Sequence, residues 1–285
     1  MIAQLLKDGK QTLSFEVFPP KKEEEFENAQ AVLNSLAELK PDFISVTYGA
    51  GGSRSKKTVE IASYIQNTLR IPALAHMTCV GSKKEDIDRV ADSLRQANVS
   101  HVLALRGDRP AWMDDAQFES RDFAHASDLT RYLKATTGLE IAGACYPEKH
   151  YEAPDPETDL EGLKKKAQAG ASFLITQLFF DNEVFYRFLE RKGTAGISLP
   201  VCAGIMPITS AKQLGTTVTL SGSSIPKELA DLIAAYGDQP EDMRKAGVDY
   251  AVRQILDLKA HGADGIHLYS MNRPKTTREI VEAIR

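Results

Sequence analysis

Short apolar runs alternate with stretches of helical periodicity along the whole chain. Eight runs stand out: TLSFEVF (12–18), FISVTYG (43–49), PALAHMTC (72–79), HVLALRGD (101–108), EIAGACYP (140–147), FLITQLFF (173–180), PVCAGIMP (200–207) and GIHLYSMN (265–272). Each is rich in β-branched or aromatic residues, and near-continuous apolar character is what strands covered on both faces need. Between them, Phe26, Ala29, Leu33 and Leu36 share one helical face before Pro41. Ile87, Val90, Ala91 and Leu94 follow a capping-box pattern at Ser82 and Glu85. Val184, Phe185, Phe188 and Leu189 repeat the stripe, Ala251, Ile255 and Leu258 precede a helix-ending Gly262, and Ile280, Val281 and Ile284 form the last helix. Eight strand–helix units predict a (β/α)8 TIM barrel, one catalytic domain over residues 1–285. Helical stretches at 210–221 and 226–236 before a long one at 240–261 predict an elaborated seventh unit.

A doubly wound open sheet shares this alternation. Its G-x-G-x-x-G fingerprint is missing after the first strand, where FEVFPPKK stands, and GAGGS at 49–53 lacks the third glycine in register. The barrel is therefore the better reading. It predicts working residues at the carboxyl ends of strands, which here carry Glu16, Thr47, His76, Asp108, Tyr146, Gln177 and Arg273.

Composition narrows the chemistry. The 285 residues are 42% hydrophobic, enough for a substantial core, and no Pro/Gly/Ser-rich linker divides them. A net charge of −4 argues against a nucleic-acid binder. The amino-terminal MIAQLLKDGK is no signal peptide, and no run reaches membrane-spanning length. Cys79, Cys145 and Cys202 are widely spaced on predicted strands and read as reduced packing residues, so a cytoplasmic protein is expected. No metal site is expected, since neither His76 nor His150 has a partner at ligand spacing.

Glu16 lies between Phe15 and Phe18 and before two prolines. Aromatic surroundings solvate a carboxylate poorly and disfavour its charged form, which suits a general acid. A strand-end glutamate paired with a loop lysine is the equal alternative. Asp108 ends ALRGD, where Gly107 allows close approach of a ligand and Arg106 can bind phosphate or a ring carbonyl. The small residues after Thr47 and Tyr48 suit either backbone-amide binding of an anion or a plain tight turn. Lys164, Lys165 and Lys166 read as a solvated face from which one lysine could reach a diphosphate. Gln177 in an apolar strand needs a ligand or loop backbone as partner.

In order, SFEVFPP (14–20), VTYGAGGS (46–53), ALAHMTC (73–79), ALRGD (104–108), ACYPEKH (144–150), ITQLFFD (175–181), CAGIMPI (202–208) and YSMNRP (269–274) resemble the methylenetetrahydrofolate reductase family over essentially the whole chain. Each block is moderately specific; their ordered combination is highly specific. The resemblance implies a flavin-containing barrel that reduces 5,10-methylenetetrahydrofolate to 5-methyltetrahydrofolate, supplying methyl groups for methionine synthesis. NADH or NADPH would pass hydride to FAD and leave before the folate binds, with the protein providing orientation, proton delivery and electrostatics.

By position, the resemblance implies that Glu16 is the general acid opening the folate's five-membered ring. Asp108 would hold the pterin beside the flavin, and Thr47 would meet the nicotinamide. It implies FAD contacts at Tyr48, Ala50, His76, Arg106, Gly107, Ala126, Tyr146, His150, Asp159 and Lys166, and folate contacts at Gln177, Gln213 and Arg273, with Arg273 suited to a carboxylate tail. The chain departs from common family residues at Val17, His125 and Cys145, and Thr217 stands where a bacterial relative has a substrate-packing ring. Residues 109–123 look family-variable and are expected in the FAD cover. The end after the eighth helix implies no S-adenosylmethionine regulatory domain, and the family implies a homo-oligomer. A flavin-free folate reductase and a pterin-binding, methyltransferase-like barrel are the alternatives in chemistry.

Overall fold

In the computed structural model, every residue is described except Lys21, Gly49–Gly51 and Pro110. Eight parallel strands close into a barrel in sequence order: β1 (Thr12–Val17), β2 (Phe43–Val46), β3 (Ala73–Thr78), β4 (His101–Leu105), β5 (Glu140–Cys145), β6 (Phe173–Thr176), β7 (Val201–Ile205) and β8 (Gly265–Tyr269). The strand β1 completes the cylinder by pairing with β8, Ser14 beside His267 and Glu16 beside Tyr269. The expected TIM barrel is thus present. The helices Ala211–Ser221, Lys227–Tyr236 and Pro240–Ala260 confirm the elaborated seventh unit.

Alternation along the strands divides the side chains into two layers. Phe15, Val17, Ile44, Val46, Ala73 and Ala75 face outward and bury the apolar stripes of the helices, including Leu33, Leu36, Ile87, Leu94, Ile280 and Val281. Phe43, Leu74, Leu103, Ala142, Phe173, Ile175 and Cys202 fill the barrel interior. Ile2, Ala3 and Leu6 of the helix Ile2–Lys7 close its amino-terminal end. The buried Glu140 carboxylate fixes this plug by accepting the backbone N–H groups of Ile2 (2.8 Å) and Ala3 (3.3 Å).

Local signals behave as their chemistry requires. Asp155, before Pro156, accepts the Thr158 N–H at 2.7 Å and starts the helix Pro156–Ala169. Gly262 has φ +75°, the left-handed turn that ends the long helix. The capping box expected at Ser82 and Glu85 is displaced by one residue: Asp86 accepts the Lys83 N–H at 3.1 Å, while the Ser82 hydroxyl donates back to Thr78. Among the described residues, no helix is long and apolar enough to cross a membrane.

Candidate active site

A cavity of about 270 Å³ opens at the carboxyl end of the barrel, lined by Glu16, Thr47, His76, Arg106, Gly107, Asp108, Tyr146, His150, Gln177 and Tyr269 among others. Nine of the residues singled out in the sequence therefore meet in one place, although they come from six strand ends. Barrel closure alone brings them together.

Glu16 is 8% exposed. The aromatic cage expected from its sequence neighbours does not form, because Phe15 projects into the outer layer and Phe18 is exposed. Strand alternation sends residues one apart to opposite faces. What faces Glu16 is imidazole: His76 Nε2 lies 3.5 Å from Oε2 and His267 Nε2 3.8 Å. Nor does a loop lysine pair with it among the described residues. Its backbone is mounted on the segment after β8. The Ser270 hydroxyl donates to the Glu16 carbonyl at 2.5 Å, and the Asn272 side chain clamps Phe18 through two 2.9 Å bonds, one to its N–H and one to its carbonyl. Met271 and Asn272 take φ near +50° (51° and 53°) to make this return.

His76 is buried, and burial holds its ring well below the ordinary value, at about 4, against the opposing pull of Glu16. Its Nε2 has no hydrogen-bond partner among the described residues. Tyr269 donates its hydroxyl to the Thr176 carbonyl at 2.7 Å, and burial pushes that phenol far up. Gly204 makes the ring's position possible: a Cβ there would stand 2.9 Å from the tyrosine and 2.4 Å from the Thr176 carbonyl.

Asp108 is exposed at the rim, one residue beyond Gly107 at φ +82°. Any Cβ on Gly107 would lie 2.8 Å from Val80 and 3.0 Å from Thr78. Arg106 grips Glu152 with both terminal guanidinium nitrogens, Nη2 to Oε1 at 2.8 Å. That guanidinium holds Glu152 down at about 2. His150 stacks on Tyr151 (4.7 Å, 26°) and stands edge-on to Tyr146 (4.7 Å, 86°).

Tyr48, Ala126, Asp159, Lys166, Gln213 and Arg273 are not among the residues that line the cavity. Tyr48 faces an adjoining cleft between the helices Gly52–Ser63 and Lys84–Gln96, and burial raises its phenol. Ala50 falls outside the described residues. Ala126 is buried at the start of the helix Ala126–Thr136, with His125 as its N-cap. Lys166 stands behind Tyr146: Nζ donates to the Ala144 carbonyl at 2.6 Å and lies 5.6 Å from the tyrosine ring. Burial lowers the Lys166 ammonium and raises its half-buried neighbour Asp159. Gln177 lies just beyond β6, not within a strand, because its Oε1 accepts the Leu178 N–H at 2.9 Å and turns the chain outward. Gln213 and Arg273 meet through Thr209, whose hydroxyl donates to Gln213 Oε1 at 3.1 Å and accepts from Arg273 at 2.6 Å. Thr217 is buried with its hydroxyl 3.5 Å from Met206 Sδ. Cys145, like Cys79 and Cys202, is a free buried thiol, and burial raises all three. Residues 109–123 carry the short helix Asp115–Glu119 and leave Trp112 exposed.

Sequence reasoning missed His267, Tyr269, Ser270 and Asn272. The signal was present in GIHLYSMN: alternation from Gly265 places His267 and Tyr269 on the inward face.

A family described as methylenetetrahydrofolate reductase matches residues 1–285. The chain is 32% identical over 276 residues to 5,10-methylenetetrahydrofolate reductase of Escherichia coli, covering 97% of this chain and 91% of that protein. It is 35% identical over 286 residues to methylenetetrahydrofolate reductase (NADH) 1 of Arabidopsis thaliana, covering 96% of this chain but 48% of that protein, so it spans about half the plant relative's length. In fold it resembles a Clostridium thermocellum protein that binds two copies of 5-methyl-5,6,7,8-tetrahydrofolic acid (TM-score 0.72, 16% identity, 99% and 98% of the two chains).

Proposed function

The chain belongs to the methylenetetrahydrofolate reductase family, and from that premise we propose that it reduces 5,10-methylenetetrahydrofolate to 5-methyltetrahydrofolate with electrons from NADH or NADPH carried by FAD. The observation that carries the proposal is the convergence of Glu16, Asp108 and Gln177 on one cavity at the carboxyl end of the barrel. One carboxyl at the floor and one at the rim suit proton delivery and ring positioning at a single bound molecule.

The residues present fit FAD. His76, which lines the cavity, carries at Nε2 a buried polar atom without a partner among the described residues. Arg106 and His150 supply charge and donors for phosphate at the cavity's edge. At about 270 Å³ the cavity lies just below the usual ligand-pocket range of roughly 300–1,000 Å³. FAD, when bound, supplies the hydride relay that separates oxidation of the nicotinamide from reduction of the folate.

The chain's own residues do the rest. Glu16 delivers a proton from its carboxyl to the folate, opening the five-membered ring to an iminium that can accept hydride. The overall change consumes one proton with each hydride, so Glu16 is reprotonated from the cavity between turnovers. Asp108 and Gln177 hydrogen-bond the pterin and fix its face. Arg273, linked through Thr209 to Gln213, receives the carboxylate tail. A cytoplasmic setting and association of identical subunits belong to the same proposal. Three buried, unpaired thiols support the first, and sedimentation reads the second.

The experiment is a visible spectrum of the purified protein, with product analysis. A yellow protein should bleach with NADH or NADPH, regain colour on adding 5,10-methylenetetrahydrofolate, and form 5-methyltetrahydrofolate. A colourless but active protein would establish direct hydride transfer instead, and a coloured protein that never turns over the folate would refute the proposal.

A further inference from the structure

The Glu16 carboxylate accepts no hydrogen bond from any described residue. Two imidazole nitrogens face it, His76 Nε2 at 3.5 Å and His267 Nε2 at 3.8 Å. A side chain with three rotatable bonds is not held in one orientation unless something fixed bounds it. Among the described residues, His76 Nε2 has no hydrogen-bond partner to brace it. His267 has no accessible surface and is fixed on every side. Its ring lies nearly flat on Phe43 (5.8 Å, 17°) and edge-on to Tyr269 (5.7 Å, 81°). Ser14 Oγ lies 2.7 Å from Nδ1, and Ser45 Oγ lies 3.2 Å from Nε2.

This cluster occupies costly positions. Ser14, Ser45 and His267 project inward at a level where barrels ordinarily place branched aliphatic residues, and the neighbouring inward positions here are Phe43, Leu74 and Leu103. Burying two hydroxyls and an imidazole in place of apolar groups is unfavourable unless each is satisfied. They satisfy one another, directly beneath Glu16. A packing role would be served as well by a leucine; an imidazole with both nitrogens braced is a rigid polar floor.

We infer that His267, braced by Ser14 and Ser45, is the positioning residue that keeps the Glu16 carboxyl aimed into the cavity. The inference rests on Glu16 being the acid of the proposed folate reduction. The Ser14 hydroxyl donates to the Ile266 carbonyl (3.2 Å) and can accept from Nδ1–H, while the Nε2 edge of the ring faces Ser45 and Glu16. The other ionisable groups of this layer are His76 and Tyr269, and the latter's hydroxyl is committed to Thr176. His267 touches neither the cavity nor a reacting atom, so it acts through Glu16 alone.

The test separates the two half-reactions. In His267→Asn, the side-chain amide can keep the bond to Ser14 but does not reach Glu16. The yellow colour and NAD(P)H oxidation with an artificial acceptor should stay within twofold of wild type. Folate reduction should fall 10- to 100-fold in kcat with KM within twofold. Added to Glu16→Gln, the same change should cost nothing further, because both act on one group. Equal losses in both half-reactions, or full additivity with Glu16→Gln, would overturn the inference. If His267→Asn does not fold, Ser45→Ala and Ser45→Thr decide: a severalfold loss of folate kcat in the first, restored by the hydroxyl of the second, is the expected pattern, and wild-type rates in both would overturn it. A wild-type protein that fails to reduce the folate at all would sink the functional proposal instead.

Discussion

Glu152→Gln perturbs the ion pair at the cavity's edge, and its consequences can be worked out. In the wild type, Arg106 donates to both carboxylate oxygens of Glu152, and the Tyr151 hydroxyl donates to Oε1 at 2.8 Å. The Arg106 guanidinium is the main cause of Glu152 lying at about 2, against an ordinary 4.5; burial opposes the shift. That gap of about 2.5, at about 1.4 kcal/mol per pH unit, sets an upper bound of about 3.5 kcal/mol. The Glu152 side chain is 42% exposed, so screening by water reduces the contribution to about 1 kcal/mol. A carboxylate held low stabilises the fold fully above its unfolded value of 4.5 and loses that contribution as pH falls toward about 2. Urea denaturation at pH 7 should therefore show the variant less stable by about 1 kcal/mol, with the gap narrowing in acid. Fluorescence titration of apoprotein should show FAD binding severalfold tighter, because Arg106 no longer has to exchange a carboxylate for phosphate. Unchanged stability at pH 7, or a deficit that persists into acid, would refute the electrostatic reasoning. Weaker FAD binding would show that Glu152 aims Arg106 at the cofactor and does not compete with it.

Glu16→Gln should preserve NAD(P)H oxidation with an artificial acceptor and lower folate reduction by about 10²–10⁴-fold, the range for a general acid; equal survival of both half-reactions would remove Glu16 from that role. Asp108→Asn should weaken folate turnover more than flavin retention, and a variant that loses FAD yet binds folate with unaltered affinity would count against pterin positioning. Gly107→Ala combines left-handed backbone strain of about 1–2 kcal/mol with crowding against Val80 and Thr78 worth about 1–3 kcal/mol. A thermal melt should show that destabilisation, and an unshifted transition would mean that the loop between Arg106 and Asp108 yields without cost.

The strand–helix count and the barrel were legible in the chain because each depends on residues close in sequence. Apolar runs of seven or eight residues, helical stripes at three- and four-residue spacing, and Gly262 after the long helix are local statements of local physics. The strand-end rule then located Glu16, Thr47, His76, Asp108, Tyr146 and Gln177 at the cavity without any knowledge of their partners, though not Arg273, which does not line it. Gln177 was legible as a polar residue needing a partner, though not as a residue beyond the strand.

Contacts between distant segments were not legible. The phenylalanines beside Glu16 suggested an apolar cage, yet pleating turns Phe15 away and barrel closure brings His267, 251 residues later, beneath the carboxyl. The Arg106–Glu152 pair and the Thr209 link between Gln213 and Arg273 likewise join loops that follow different strands. By itself, the sequence determined which faces are apolar, where the elements stop, and which residues stand at the strand ends. Only the closed cylinder decided what each of those residues faces: its register, not nearness along the chain, sets which side chains share a layer.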